Sequence, residues 1–262
     1  MHALTVVRTY IKLGALNAVQ YRANFLFDLV GAATYLASVL LTLGLIFRQT
    51  NSVNGWNADE LIALVGIQIL VGGVVGLVIR PSMQQLMENI RLGTLDFMLT
   101  KPADSQLLAS VQQVNFGAVA EIVVGVAVIV TALVRLGATI GGLDAIAFVV
   151  LILAGLIIVT CFLTLLSTFS FWFVRLDNIL VIFQSAFGEA GRWPIGIYPG
   201  WLRISLTFLI PIAFAVTVPA ESLTGRLTGW TLLATLALTV GFVVVTRRFW
   251  RFGLKRYTGA SA

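Results

Sequence analysis

Histidine occurs once in this sequence, as His2, and cysteine once, as Cys161 inside an apolar run. A histidine-based catalytic or metal constellation is therefore excluded, and so are a disulfide framework and a thiolate metal site. Charge is scarce too, at 11% of 262 residues, far below the roughly 25% of an ordinary soluble domain. The three lysines are followed by Leu13, Pro102 and Arg256. No G-x-x-x-x-G-K-[ST] phosphate loop can be drawn through any of them, so the chain is not expected to hydrolyse ATP. Nor is there a G-x-S-x-G elbow or an H-E-x-x-H helix to make it a membrane hydrolase. Arg8 and Lys12 interrupt the first residues before an apolar signal-peptide core could form.

Apolar residues dominate instead, at 59%. Several runs reach the ~20 residues that a helix needs to cross the hydrocarbon of a bilayer. The expected fold is all-α: a polytopic membrane protein in one transmembrane domain covering 1–262. Residues 1–24 read as an amphipathic interfacial helix, with Leu4, Val7, Ile11 and Ala15 on one face and Arg8 and Lys12 on the other. Spans are expected at about 25–47, 61–79, 106–134, 145–171, 176–193 and 229–246. "RQTNSVNGWNADE" forms a polar loop after the first. Gly72 and Gly76 make a GxxxG pair suited to close helix packing.

Charge sets the orientation. With both termini, the 80–104 segment and the loop at Arg175 in the cytoplasm, only Arg48, Arg135, Arg192, Arg203 and Arg226 lie outside, which satisfies the positive-inside rule. The net charge of +6 is thereby explained without nucleic acid, and no nucleic-acid partner is expected. Both termini inside require an even number of crossings. Of the apolar segments 176–193 and 204–219, the first is therefore expected to cross. The second, with Pro211 inside it, is expected to be re-entrant, since broken backbone is tolerated where protein buries it.

Between the second and third spans lies "ENIRLGTLDFMLTKP", a polar stretch in an apolar chain. Pro81 suits the first turn of a helix. Met83, Leu86, Met87 and Ile90 recur at helical spacing, and Gly93 can close that helix in a left-handed conformation. A second short turn follows to Leu99, stopped by Lys101-Pro102, and Asp104 or Ser105 caps the next span. The segment 81–104 is thus an amphipathic helix-turn-helix whose polar face carries both signs. Mixed charge suits a protein surface better than an anionic bilayer, where a polybasic face is expected.

"IRLGTLDFMLTKP" resembles the cytoplasmic signature of ABC-2-type ABC transporter permeases, and "YRANFLFDL", "GRWPIGIYPGWLR" and "FLIPIAFAVTVPAESL" extend the resemblance over nearly the whole chain. It is similar in particular to a six-span subfamily often encoded as paired permeases beside an ATPase. The resemblance implies that 81–104 is the coupling segment, with Glu88, Asn89, Arg91, Leu92, Gly93, Leu95 and Asp96 in contact with the ATPase. It implies a brace on that ATPase from the N-terminal helix, and an external gate containing Trp193, Pro194, Tyr198, Pro199, Trp201 and Pro211. The three aromatics are equally consistent with an ordinary interfacial belt. ATP and Mg would be bound by two copies of the partner ATPase, with no cofactor in this chain. A second permease, a copy of this chain or a related one, would complete the pathway in the cell membrane for an amphiphilic substrate, with export favoured. A gradient-driven secondary transporter or a membrane assembly protein is the alternative, although the inverted repeats of the former are not visible.

Glu121 is expected near the middle of the third span, with no Lys or Arg at its depth. Such a carboxylate marks a functional position by default, as a protonated bundle residue, a pathway group or a partner for another subunit. Asp28 and the Arg175–Asp177 pair read as anchors near the cytoplasmic boundary.

Overall fold

The computed structural model describes residues 22–137, 141–173 and 178–257. The interfacial helix expected at 1–24 and the Arg175–Asp177 pair fall outside these residues, save the backbone from Arg22 onward. Among the described residues the fold is helical throughout, with no strand. Helix α1 spans Arg22–Phe47, and the loop after it makes a tight Asn54-Gly55 turn closed by a Val53–Trp56 bridge, both central residues at positive φ. Helix α2 begins under a capping box. Asn57 accepts from the Glu60 backbone at 2.9 Å, and Glu60 accepts from the Asn57 backbone at 2.8 Å.

Helix α2 then runs unbroken from Ala58 to Arg91, 34 residues, about 51 Å at 1.5 Å per residue. The second span and the first helix of the 81–104 segment are therefore one rod, although Pro81 in the sequence suggested a fresh start. The reason lies one turn upstream. Pro81 has no N–H to give the carbonyl of Leu77, and its ring crowds that oxygen. Val75–Ile79 widen into a π-helical turn, and the Leu77 oxygen accepts instead from the Asn115 backbone at 2.7 Å.

A short helix, α3 (Asp96–Leu99), and another, α4 (Ser105–Ser110), lead to α5 over Phe116–Leu136. The third span thus starts some ten residues later than the apolar pattern from 106 suggested. Gln112, Gln113 and Asn115 make side-chain and backbone bonds that interrupt the helix. Helix α6 covers Gly142–Phe171, and α7 only Ile179–Ala190. Then come α8 (Gly200–Leu209) and α9 (Ala213–Leu223), bent against each other by 78°, and α10 (Gly229–Leu254).

Five of these helices are long and apolar enough to cross a bilayer, or six with the bent pair as one span, and the molecule is a polytopic α-helical membrane protein. Helix α7, 12 residues and about 18 Å, falls short of the ~30 Å hydrocarbon core, and Gly191–Pro199 continue it without α-helix. The expected span 176–193 is therefore helical only in part.

Helices α2 and α5 pack antiparallel through glycine. A Cβ on Gly66 would lie 2.9 Å from the Ile129 backbone, one on Gly73 2.9 Å from that of Ile122, and one on Gly125 2.6 Å from that of Leu70. These three allow the backbones to touch, which is how helices gain contact where no hydrophobic force separates protein from lipid. Gly72 and Gly76, the pair singled out in the sequence, face a cavity instead. Gly155 of α6 lies against the α9 backbone, 2.8 Å from the Cα of Ala215 by the same measure.

Candidate functional site

The two ends of the bundle differ. At the basic end, α2 projects as Arg80–Arg91, with Met83, Leu86 and Met87 buried towards α4 and α6. The helix closes at Gly93, φ +70°, where Thr94 N–H reaches the Asn89 carbonyl at 2.9 Å and Gly93 N–H that of Ile90 at 3.3 Å. This paired closure requires a left-handed residue, which only glycine adopts without strain. Polar side chains then lock the projecting helix to the strap 111–113. Ser82 Oγ donates to the Gln113 carbonyl and accepts from its N–H, and the Gln112 amide donates to the Ser82 carbonyl. The Gln113 amide donates to Gln85, and that of Asn89 to Gln112.

The residues expected to contact an ATPase divide into two groups. Leu95 is completely buried, and Asn89 is held by Gln85, Gln112 and Thr94, so these two secure the segment from within and do not face outward. Glu88 and Arg91 form an ion pair one turn apart, 2.7 Å between closest atoms, on the exposed side. Leu92 is 59% exposed, and Asp96 opens α3 beside it. The residue that the sequence pattern passed over is Phe97, 77% exposed at the tip. Its signal was available: a large aromatic in a polar segment, beyond the Gly93 break that ends the Met83–Ile90 stripe.

The last span grips the far side of the same segment. Arg247 makes a bidentate pair with Asp104, whose side chain also caps α4 by accepting from Leu107 N–H at 3.0 Å. Trp250, 1% exposed, donates to Ser105 at 3.1 Å. The Arg247 hydrogen bond holds the Asp104 carboxyl below its ordinary value of 3.8. A carboxyl lowered by folding stabilises the fold above its unfolded value, and the contribution disappears as pH falls through the folded value. Both partners are more than a third exposed, so Asp104→Asn is expected to cost only about 0.5 kcal/mol at neutral pH. Melting temperatures of the two proteins should differ at pH 7 and converge below pH 3.8.

At the opposite end, Arg226 follows α9. It donates to the Gly55 carbonyl at 2.8 Å and to both oxygens of Glu60, and lies 4.9 Å over the Trp56 ring. The side chain of Glu60 is 10% exposed, so this pair fastens the α8–α9 hairpin to the start of α2. The other flank of the hairpin meets the same loop, where a Cβ on Gly196 would collide with Asn54. Its turn, with Pro211, lies deep, Ile212 beside Gly191 and Gln68. Both ends of the hairpin thus sit at the loop that joins α1 to α2, and its tip points into the bundle. Pro194 and Pro199 start the turns of backbone leading into it, Trp193 packs towards Val39 and Leu43 of α1, and the Tyr198 hydroxyl donates to the Ala190 carbonyl at 3.2 Å. Trp201 is 72% exposed.

Glu121 stands in the second turn of α5, nearer the basic end than the sequence suggested, because that helix starts at Phe116. Its depth does hold a cation, contrary to the sequence expectation: Arg80 and Asp28 are both near enough to act on it electrostatically. Glu121 and Arg80 line a cavity of about 300 Å³ between α1, α2, α5, α6 and α7, together with Tyr35, Gln68, Phe183 and Phe187. The Tyr35 hydroxyl is 3.2 Å from both the Gln68 side chain and the Gly188 carbonyl. Among the described residues no cluster of His, Cys, Asp and Glu is arranged to hold a metal ion.

The chain is thus a polytopic helical bundle with a braced amphipathic projection at one end. A family profile described as "ABC-2 family transporter protein" matches residues 33–261, and the chain belongs to that family. No curated protein matches the chain. Members of the family are membrane components of ABC transporters and pair with an ABC ATPase, so this chain is the permease of such a transporter.

Proposed function

We propose that this permease exports an amphiphilic substrate across the cell membrane, with both termini and the 81–104 segment in the cytoplasm. Two ATPase subunits, which bind ATP and Mg, drive it, and a second permease, a copy or a related chain, completes the pathway. The observation that carries the reading is the build of the 81–104 segment. It is hung on an unbroken extension of α2, cross-braced by amides and clamped by α10, yet it presents Phe97, Leu92 and the Glu88–Arg91 pair outward. A surface that is rigid from behind and greasy at its centre suits a docking contact that must transmit displacement. The mixed charge around it supplies partner choice and register more than affinity.

The α8–α9 hairpin is re-entrant in this reading and, with the proline-broken backbone before it, forms the external gate. Each arm has ten or eleven residues, about 15 Å, half the hydrocarbon thickness. Cysteine labelling tests the topology in a Cys161→Ala background. Gly200 and Gly229 are exposed, with nothing within 4 Å of an added Cβ, whereas Ser222 is too buried to report. Gly200→Cys, Gly229→Cys and Ser52→Cys should all react with an impermeant maleimide added to intact cells, and Thr100→Cys only after permeabilisation. Gly200 and Gly229 reacting from opposite sides would make the bent pair a true crossing and remove the gate. The coupling role itself is tested by co-purification: the tagged chain should bring down an ATPase, and a chain that never does so is not driven in this way.

A further inference from the structure

The cavity beside Glu121 is the feature that coupling leaves unused. At about 300 Å³ it is at the small end of ligand sites. It exists because Gly31, Gly72, Gly76 and Gly188 contribute no side chains to its wall. Phe183 and Phe187, ring centres 5.8 Å apart and tilted by 32°, form an aromatic wall, with Leu163, Leu180 and Val75 completing the apolar part. Tyr35 and Gln68 supply a hydrogen-bonding pair opposite. Charge is confined to one side, where Arg80 and Glu121 line the wall and Asp28 stands near. Among the described residues none of these three side chains makes a hydrogen bond or ion pair. Two carboxylates thus stand, among the described residues, against one guanidinium beside an aromatic pocket.

We infer that this cavity receives a singly cationic amphiphile, its positive nitrogen docked at Glu121 and its flat apolar body against Phe183 and Phe187. A cation supplies the partner that the excess carboxylate lacks, and desolvated charge–aromatic contact adds to the hold. An anion of the same shape would meet two carboxylates for one guanidinium. A neutral molecule would gain no ion pair from Glu121 and would bind through the aromatic wall and hydrogen bonds alone. A multiply charged solute would find an apolar surface over most of its body. The inference rests on the permease reading for its meaning as a substrate class, but binding itself requires no ATPase.

The test uses the full chain in phosphatidylcholine nanodiscs, with fluorescence anisotropy of two tricyclic probes of matched size, N-methylacridinium and anthracene carboxylate. Empty nanodiscs give the lipid background. The cation is expected to bind saturably and the anion not. Glu121→Gln should raise the cation's Kd about tenfold or more, the scale of losing a hydrogen-bonded charge partner. Gly72→Leu, which fills the cavity while leaving all three charged residues in place, should abolish binding, and it carries the test if Glu121→Gln does not fold. Cation binding unchanged by either substitution would overturn the inference, as would preferential binding of the anion. Loss of binding specificity with ATPase co-purification intact removes the ligand class alone. Intact binding in a chain that recruits no ATPase removes the coupling reading instead.

Discussion

Phe97→Asp, and separately Arg91→Glu combined with Asp96→Lys, are expected to abolish stimulation of the partner ATPase by the permease. Transport should fall with it, while the bundle remains folded. The reason is geometric. Phe97 is the most exposed large hydrophobic side chain of the 81–104 segment, at 77%, and sits at its tip. An aromatic anchor of that kind is worth about 2 kcal/mol or more when it fills a partner's pocket, and a carboxylate there would add desolvation cost. The charge reversals act differently, since Arg91 and Asp96 lie on the exposed rim and set register. None of the three is buried, so neither variant should alter the melting temperature beyond about 0.5 kcal/mol of stability. Leu95→Asp is the contrasting case. Leu95 is wholly buried, so this change should unfold the segment and lower the melting temperature before any contact is considered.

The largest structural effect is expected from Gly125. A Cβ there would lie 2.6 Å from the backbone nitrogen of Leu70 and 2.9 Å from the carbonyl oxygen of Gly66. Backbone cannot rotate aside as a side chain can, so α2 and α5 must separate along their tightest contact. Gly125→Ala should cost about 3 kcal/mol, the upper range for overpacking, even after the better helix propensity of alanine returns up to about 1 kcal/mol. Gly72→Ala, one helix face away, is the control. Its Cβ would have 3.9 Å to Phe187 and 4.0 Å to Glu121, ordinary contact, so stability should hold or rise slightly. Melting followed by size-exclusion chromatography in detergent should separate the two proteins clearly. Equal melting temperatures would mean that the glycine contact between α2 and α5 does not hold the bundle.

These cases show what could be read before the fold was known. Uninterrupted apolar length identified the long helices, because in a bilayer every backbone group must be satisfied within its own segment. The closure at Gly93 was legible too, since a glycine after an amphipathic stripe has one common use. Periodicity could not show which glycines touch. Gly72 and Gly76 satisfy the familiar spacing but face the cavity, whereas Gly66 and Gly73, seven apart, meet α5. Pro81 misled for a related reason. The break it should cause was absorbed by a π turn and by Asn115, a partner more than thirty residues away. Placing the start of the third span at 106 moved Glu121 to mid-membrane and away from Arg80. The polar run Gln112–Asn115 carried the correction, had its side chains been weighed against the apolar run around them.

The most direct test of the coupling role is to replace Phe97 with a photo-cross-linking benzoylphenylalanine in the complete transporter and irradiate it with and without trapped nucleotide. Attachment to the ATPase subunit, with a yield or attachment site that changes when nucleotide is trapped, is the expected result. Attachment only to lipid or to the permease itself, in a complex that still transports, would contradict a coupling role for this segment.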